Sequence, residues 1–176
     1  MKDNRSDCGP KPGEADVPGG LRSCGIRVDE EGDWFYDGNK IFRAEILEVF
    51  CSRLEQMPTG EFFLSDSNGP CLIDVADAPF VVSRVDFEKD ESGGERIVIQ
   101  LKNIAEPQVL DPGTLTIGKD NVLYCSVFDG RFIARLSRPA YYQLAEFIRE
   151  DETSQSFYIE LNGARYGLRL AAPNAP

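Results

Sequence analysis

The sequence predicts an α+β protein, mostly β, made of two small domains. Three observations lead there. Short alternating apolar runs, separated by Gly, Pro, Asn and Asp, fill most of the chain. Two stretches repeat apolar residues at helical spacing, over residues 42–57 and 137–150. Each is preceded by an aromatic-Asp-Gly turn, so one order of elements occurs twice.

The first strand is expected near residues 25–29 (GIRVD), and WFYDGNKI reads as a hairpin turning at Asp37-Gly38. Helix one follows over residues 42–57. Ile46, Leu47, Phe50 and Leu54 form its apolar stripe, and Pro58-Thr59-Gly60 ends it. EFFLS and CLIDV are strands, as is FVVSRVDFE, where Val81, Val85 and Phe87 alternate with Arg84, Asp86 and Glu88. ERIVIQLK returns after the KDESGG loop. Further strands are expected at residues 114–118, 122–128 and 131–136. Helix two, over residues 137–150, has Ser137 as N-cap and Pro139 in its first turn. SFYIEL and ARYGLRL meet at Asn162-Gly163, a strong hairpin turn.

WFYDGNKIFR and CSVFDGRFIAR align Asp37, Ile41 and Arg43 with Asp129, Ile133 and Arg135, which suggests an internal duplication of a hairpin–helix–hairpin motif on curved antiparallel sheets. Asp-Gly hairpins are common, so chance resemblance is the alternative. The expected division is a tail over residues 1–20, an N-terminal domain over 21–78, a C-terminal domain over 79–171 and a short tail over 172–176. The first tail is rich in Pro and Gly and poor in apolar side chains, as mobile segments are.

A chain of 176 residues can bury a core without a metal or disulfide. The net charge of -11 argues against duplex nucleic acid as a partner, while leaving room for a local Arg site. No apolar run is long enough to span a bilayer, and the N-terminus lacks a secretory h-region, so a cytoplasmic location is expected. The five cysteines form no CxxC pair, which fits free thiols in a reducing compartment. Cys51, Cys71 and Cys125 read as buried packing residues, with Cys8 and Cys24 as the candidates for redox chemistry. There is no histidine, which removes His-based nucleophile activation and most catalytic zinc ligation. No metal or cofactor is expected.

The acidic run Asp29, Glu30, Glu31, Asp33 and Asp37 lacks the spacing of a calcium loop and reads as a solvated turn. Asp74 and Asp77 are a candidate carboxylate pair, more in keeping with turn capping. No Gly-rich phosphate loop occurs. Arg43, Arg135 and Arg138 lie at the hairpin-to-helix junctions, where guanidinium groups suit an anion; a bridge to Asp77 is the structural alternative. Trp34, Tyr36 and Tyr141 offer faces for a planar ring, and Asp77 and Phe80 lie on the segment joining the halves.

DEEGDWFYDGNKIFRAEILEVF, IDVADAPFV and RLSRPAYYQLAEF resemble, in matching order, three motifs of the bacterial domain-of-unknown-function family 1285. The likeness covers residues 25–170. The family's W-N-P segment is replaced here by PGGLRSCG, Lys40 stands for a common Pro, and Ala76 stands for the Glu before D-A-P-F. The resemblance implies a two-domain fold of repeated motifs and a C-terminal domain superficially like pleckstrin-homology folds. It also implies a nucleotide-like ligand at the domain interface and a signalling role.

The leading functional reading is a non-catalytic regulatory protein that binds a small anionic ligand. Trp34, Tyr36, Arg43, Asp77, Phe80, Arg135, Arg138 and Tyr141 are the candidate site residues. The alternatives are a protein-interaction module using a sheet edge or groove, and a carboxylate-based enzyme.

Overall fold

The computed structural model describes residues 21–66, 69–151 and 156–170; the expectations for both tails and for Cys8 lie outside them. The first sheet contains β1 (Arg22–Val28), β2 (Trp34–Tyr36), β3 (Asn39–Lys40), β4 (Leu54–Gln56), β5 (Phe62–Asp66) and β6 (Gly69–Val75). Helix α1 (Ala44–Ser52) lies between β3 and β4. The strand order is β3-β2-β1-β6-β5-β4, with β1 and β6 parallel.

The second sheet is built from β7 (Phe80–Lys89), β8 (Glu95–Leu101), β9 (Gln108–Val109), β10 (Thr116–Ile117), β11 (Leu123–Val127), β12 (Phe132–Leu136) and β16 (Arg169–Leu170). Its order is β16-β10-β11-β12-β7-β8-β9. Helix α2 (Arg138–Ala145) leads into a separate three-stranded sheet of β13 (Ile148–Asp151), β14 (Ser156–Leu161) and β15 (Ala164–Gly167). The architecture is mixed α+β, as the sequence predicts. The sheets are not wholly antiparallel, because β1–β6, β7–β12 and β10–β16 pair in parallel.

Both helices are shorter than their apolar stripes suggest. Leu54 continues the spacing of Leu47 and Phe50, yet it pairs with Leu64 as the first residue of β4 and is 1% exposed there. Ile148 likewise pairs with Ile159 in β13. A single apolar side chain is buried equally well at the end of a helical stripe or on a strand, so periodicity alone misplaces the helix end.

The two Asp-Gly turns also differ. Asp37 and Gly38 form a two-residue loop with φ of +46° and +79°. The second loop takes four residues, since Val127 pairs with Phe132. The order strand, helix, three-strand meander recurs, but β4–β6 extend the first sheet whereas β13–β15 stand apart from the second.

One apolar core runs from Ile26, Val28 and Trp34 through Phe80 and Val82 to Leu136, Leu144 and Ile159. Phe62 of the first sheet faces Phe132 of the second, with ring centroids 6.5 Å apart. Strand β7 has a bulge between Val82 and Arg84, which exposes Ser83 and interrupts the expected alternation. The Val85 amide beside the bulge donates to Gln143 of α2 at 2.9 Å.

The acidic turn at residues 29–33 ties the two sheets together. Asp29 Oδ1 accepts from the amides of Glu31 and Asp33 at 3.1 and 2.8 Å, which shapes the turn. Asp33 takes Lys40 on one oxygen and Lys102 on the other, each at 2.6 Å. Lys102 also donates to the Glu31 carbonyl at 2.8 Å, and Asn103 to the Gly32 carbonyl at 3.2 Å. Gly32 has φ of +73°, and a Cβ there would sit 2.7 Å from Val81 Cγ2, so the turn presses its backbone onto β7. Partial burial works against the Asp33 charge. The hydrogen bonds from Lys102 and Lys40 outweigh it and hold the carboxyl below its ordinary range.

Cys24 and Cys71 form a disulfide across β1 and β6, which corrects the expectation of free thiols at these positions. The parallel pairing of strands far apart in sequence brings the two together, and no local spacing reveals it. Cys51 and Cys125 are the buried thiols expected, each pushed up to about 12 by burial.

Closing a loop of 47 residues costs the unfolded chain about 4 kcal/mol of conformational freedom. Cys24→Ser is therefore expected to lower the unfolding free energy by about 2–4 kcal/mol in urea titrations. A reductant should do the same to the unaltered protein and nothing further to the variant. Asp33→Asn is expected to cost about 1–2 kcal/mol at neutral pH. The carboxyl of Asp33 is depressed in the folded state, so its contribution is complete above the ordinary carboxylate range and is lost as pH falls through the folded value. Unfolding curves of the two proteins should thus converge in acid.

Candidate functional site

Strand β12 ends at Leu136, and the chain turns directly into α2. The Ser137 hydroxyl accepts from the Ala140 amide at 3.4 Å, and Pro139 occupies the first turn, where a missing N–H costs nothing. This junction forms one side of a cleft of about 780 Å³. Glu30 and Glu31 of the acidic turn, Lys102, and the segment Asp120-Asn121 also line it. Asp120 and Asn121 have φ of +56° and +60°, a left-handed conformation that Asp and Asn adopt more readily than most residues.

The charges in the cleft fall into two groups. Arg135 is engaged: its Nη1 donates to Asp77 Oδ2 at 2.8 Å and to Glu30 Oε2 at 3.2 Å. The Tyr124 hydroxyl donates to both Asp77 oxygens, at 2.9 and 3.0 Å. Burial, then the hydrogen bond to Asp77 and its charge, push the Tyr124 phenol up to about 12. Burial opposes the Arg135 charge, but Asp77 more than offsets it and raises the guanidinium above its ordinary value. Arg138, by contrast, is exposed and has no ion pair among the described residues. Tyr141 and Tyr142 stand beside it on α2, their rings 5.6 Å apart and nearly perpendicular.

Of the residues singled out from the sequence, Arg135, Arg138 and Tyr141 meet at this cleft, with Asp77 behind Arg135. The others lie elsewhere. Trp34 is 1% exposed and packs on Phe50, and Phe80 is 2% exposed among Phe128 and Phe132, so both are core residues with no face for a ligand. Tyr36 is exposed at the end of β2 and lines a different cleft. Arg43 is the N-cap residue of α1, whereas its sequence counterpart Arg135 is still inside β12. The unequal Asp-Gly loops break that equivalence. Asp74 and Asp77 do not act as a pair: Asp74 is exposed near Arg27, at 4.0 Å, while Asp77 is held by Arg135 and Tyr124. No group of three or more His, Cys, Asp or Glu is placed to hold a metal among the described residues. None of their helices is long and apolar enough to cross a membrane.

The sequence reading missed Tyr124, Glu30, Lys102 and Tyr142. For Tyr124 a signal existed. Counting back from the four-residue loop sets Tyr124 opposite Arg135, which is the register observed.

Two solved structures superpose on most of this arrangement. A DUF1285 family protein from Silicibacter pomeroyi matches with a TM-score of 0.68 and 21% identity, over 84% of this chain and 80% of that one. Another from Shewanella baltica matches with a TM-score of 0.56 and 21% identity, over 69% of this chain and 90% of that one. The chain has the DUF1285 fold. No family model matches the sequence, and no curated protein matches it at a significant level. The resemblance seen in the DEEGDWFYDG, VADAPF and RLSRPAYY stretches thus agrees with the backbone that DUF1285 proteins share.

In this DUF1285-fold chain the VADAPF stretch has a definite job. Asp77 lies between the two sheets, in the link from β6 to β7, and gathers Tyr124 and Arg135 of the second. Arg135→Met leaves Asp77 and Glu30 without their shared cation and is expected to cost about 2–3 kcal/mol in chemical denaturation. Arg138→Ala should change stability by less than about 0.5 kcal/mol. Tyr124→Phe is expected to cost about 1 kcal/mol. A tyrosine in the unfolded chain titrates near about 10. With the folded phenol raised to about 12, the Tyr124 contribution is complete below the lower value and lost as pH climbs through the higher. The Phe variant should lack that alkaline loss.

Proposed function

We propose that the chain is a non-catalytic regulatory protein of the DUF1285 family that binds a small anionic, nucleotide-like ligand in the cleft at the start of α2. The observation that carries this reading is Arg138. It is a cation at a helix N-terminus, without an acidic partner among the described residues, beside two tyrosine rings. Every other cation lining the cleft is engaged, Arg135 by Asp77 and Glu30, and Lys102 by Asp33. A guanidinium held near a helix N-terminus suits a phosphate or carboxylate. Tyr141 and Tyr142 suit a planar ring. The cleft size is that of ordinary small-ligand sites.

The acids across the cleft shape the choice of ligand. Glu30, Glu31 and Asp120 line the same space as Arg138. With Glu30 held by Arg135, one free guanidinium facing the carboxylates of Glu31 and Asp120 favours a ligand with a single small anionic end and hydrogen-bond donors at the other. A nucleoside monophosphate has that distribution; a triphosphate brings charge that the acids repel.

A thermal-shift series tests the reading. Nucleoside monophosphates, cyclic or linear, are expected to raise the melting temperature, and triphosphates to raise it less. Arg138→Ala should abolish the shift while the empty variant melts with the unaltered protein. A shift that survives Arg138→Ala, or a variant that unfolds on its own, removes Arg138 from the site.

A further inference from the structure

The first sheet carries a second cleft, of about 550 Å³, between α1 and the β1–β5–β6 surface. We infer that this cleft is a separate binding site for a single-chain amphiphile with an anionic head, such as an alkyl or aryl carboxylate.

The lining changes in character with depth. The most buried lining residues are Ile26, Leu64 and Cys71, all apolar, the last being half of the disulfide. Ile46 and Phe50 of α1 form half-buried apolar walls. The exposed lining residues are Arg22, Tyr36, Arg53 and Ser65. The interior thus matches a hydrocarbon chain or ring, and the mouth matches a polar head.

Charge selects the sign of that head. In a protein of net charge -11, no carboxylate among the described residues lines this cleft, and Arg53 does. Arg53 is the C-cap residue of α1, and its side chain makes no ion pair among the described residues. An unpartnered guanidinium at the rim of an apolar space attracts a carboxylate and repels an ammonium. The Cys24–Cys71 link joins β1 to β6, so the sheet wall of the cleft is fixed by a covalent tie as well as by strand pairing. This site shares no lining residue with the cleft at α2, and its test is independent of the reading offered for that one.

The test is calorimetric titration of the full chain, disulfide intact, with octanoate and with octyltrimethylammonium below their micellar concentrations. Octanoate is expected to bind saturably with one site, and the ammonium amphiphile at least about tenfold more weakly. Arg53→Ala, at an exposed position, is expected to leave the melting curve unaltered and to weaken octanoate about tenfold. Arg138→Ala should leave octanoate binding unchanged. The inference is overturned by an absence of saturable binding, by equal affinity for both head groups, by indifference to Arg53→Ala, or by loss of binding in Arg138→Ala.

Discussion

An acidic turn pressed against a β-sheet must be neutralised where it lands, and this constraint organises the whole molecule. Residues 29–33 carry four acids, and Gly32 brings their backbone into contact with Val81. Without compensation, that approach would concentrate like charge at the junction of the two sheets. Lys102 and Lys40 meet Asp33, and Arg135 meets Glu30 together with Asp77 from the connecting segment. The same contacts fix how the first sheet lies on the second. They therefore also define the cleft, whose walls come from both sides of the junction.

Much of the fold is legible in the sequence because local chemistry and tertiary structure agree. Asp37-Gly38 and Asn162-Gly163 adopt the left-handed turns their composition demands, though the strand expected over ARYGLRL divides into β15 and β16, which lie in different sheets. Ser137 caps α2 as its position before Arg-Pro suggests. The failures have a common cause: they depend on partners distant in the chain. Leu54 leaves its helix because Leu64 offers a strand partner. Cys24 and Cys71 meet because β1 and β6 run side by side in parallel, a pairing that no hairpin signal announces. Trp34 and Phe80 are ligand candidates on residue type alone. Tertiary packing makes them core instead.

The arginines show most clearly what residue type leaves open. Arg135 and Arg138 are three positions apart, share a cleft and carry the same charge. Arg135 lies inside a strand, opposite Tyr124 and within reach of Asp77, so its guanidinium is consumed by the fold. Arg138 begins a helix, where the chain has turned and the first turn carries no acid. The change of element between them, rather than any difference in their chemistry, separates a structural bridge from an available cation.

The same logic explains how a strongly acidic chain can present two arginine-bearing clefts of opposite temperament. Long-range repulsion from a net charge of -11 is screened over about 8 Å at physiological ionic strength, so a ligand inside a cleft responds mainly to the groups lining it. At α2 those groups are mixed, and one free cation faces Glu31 and Asp120. Beside α1 they are mostly apolar, with Arg53 at the rim and no acid among the described residues. The first environment rewards a ligand that carries both an anion and donors, held at a distance from each other. The second rewards hydrocarbon ending in a single negative charge. Global acidity slows the approach of either anion, yet it leaves the discrimination to contacts a few ångströms long, and those contacts differ between the two clefts in sign, polarity and burial.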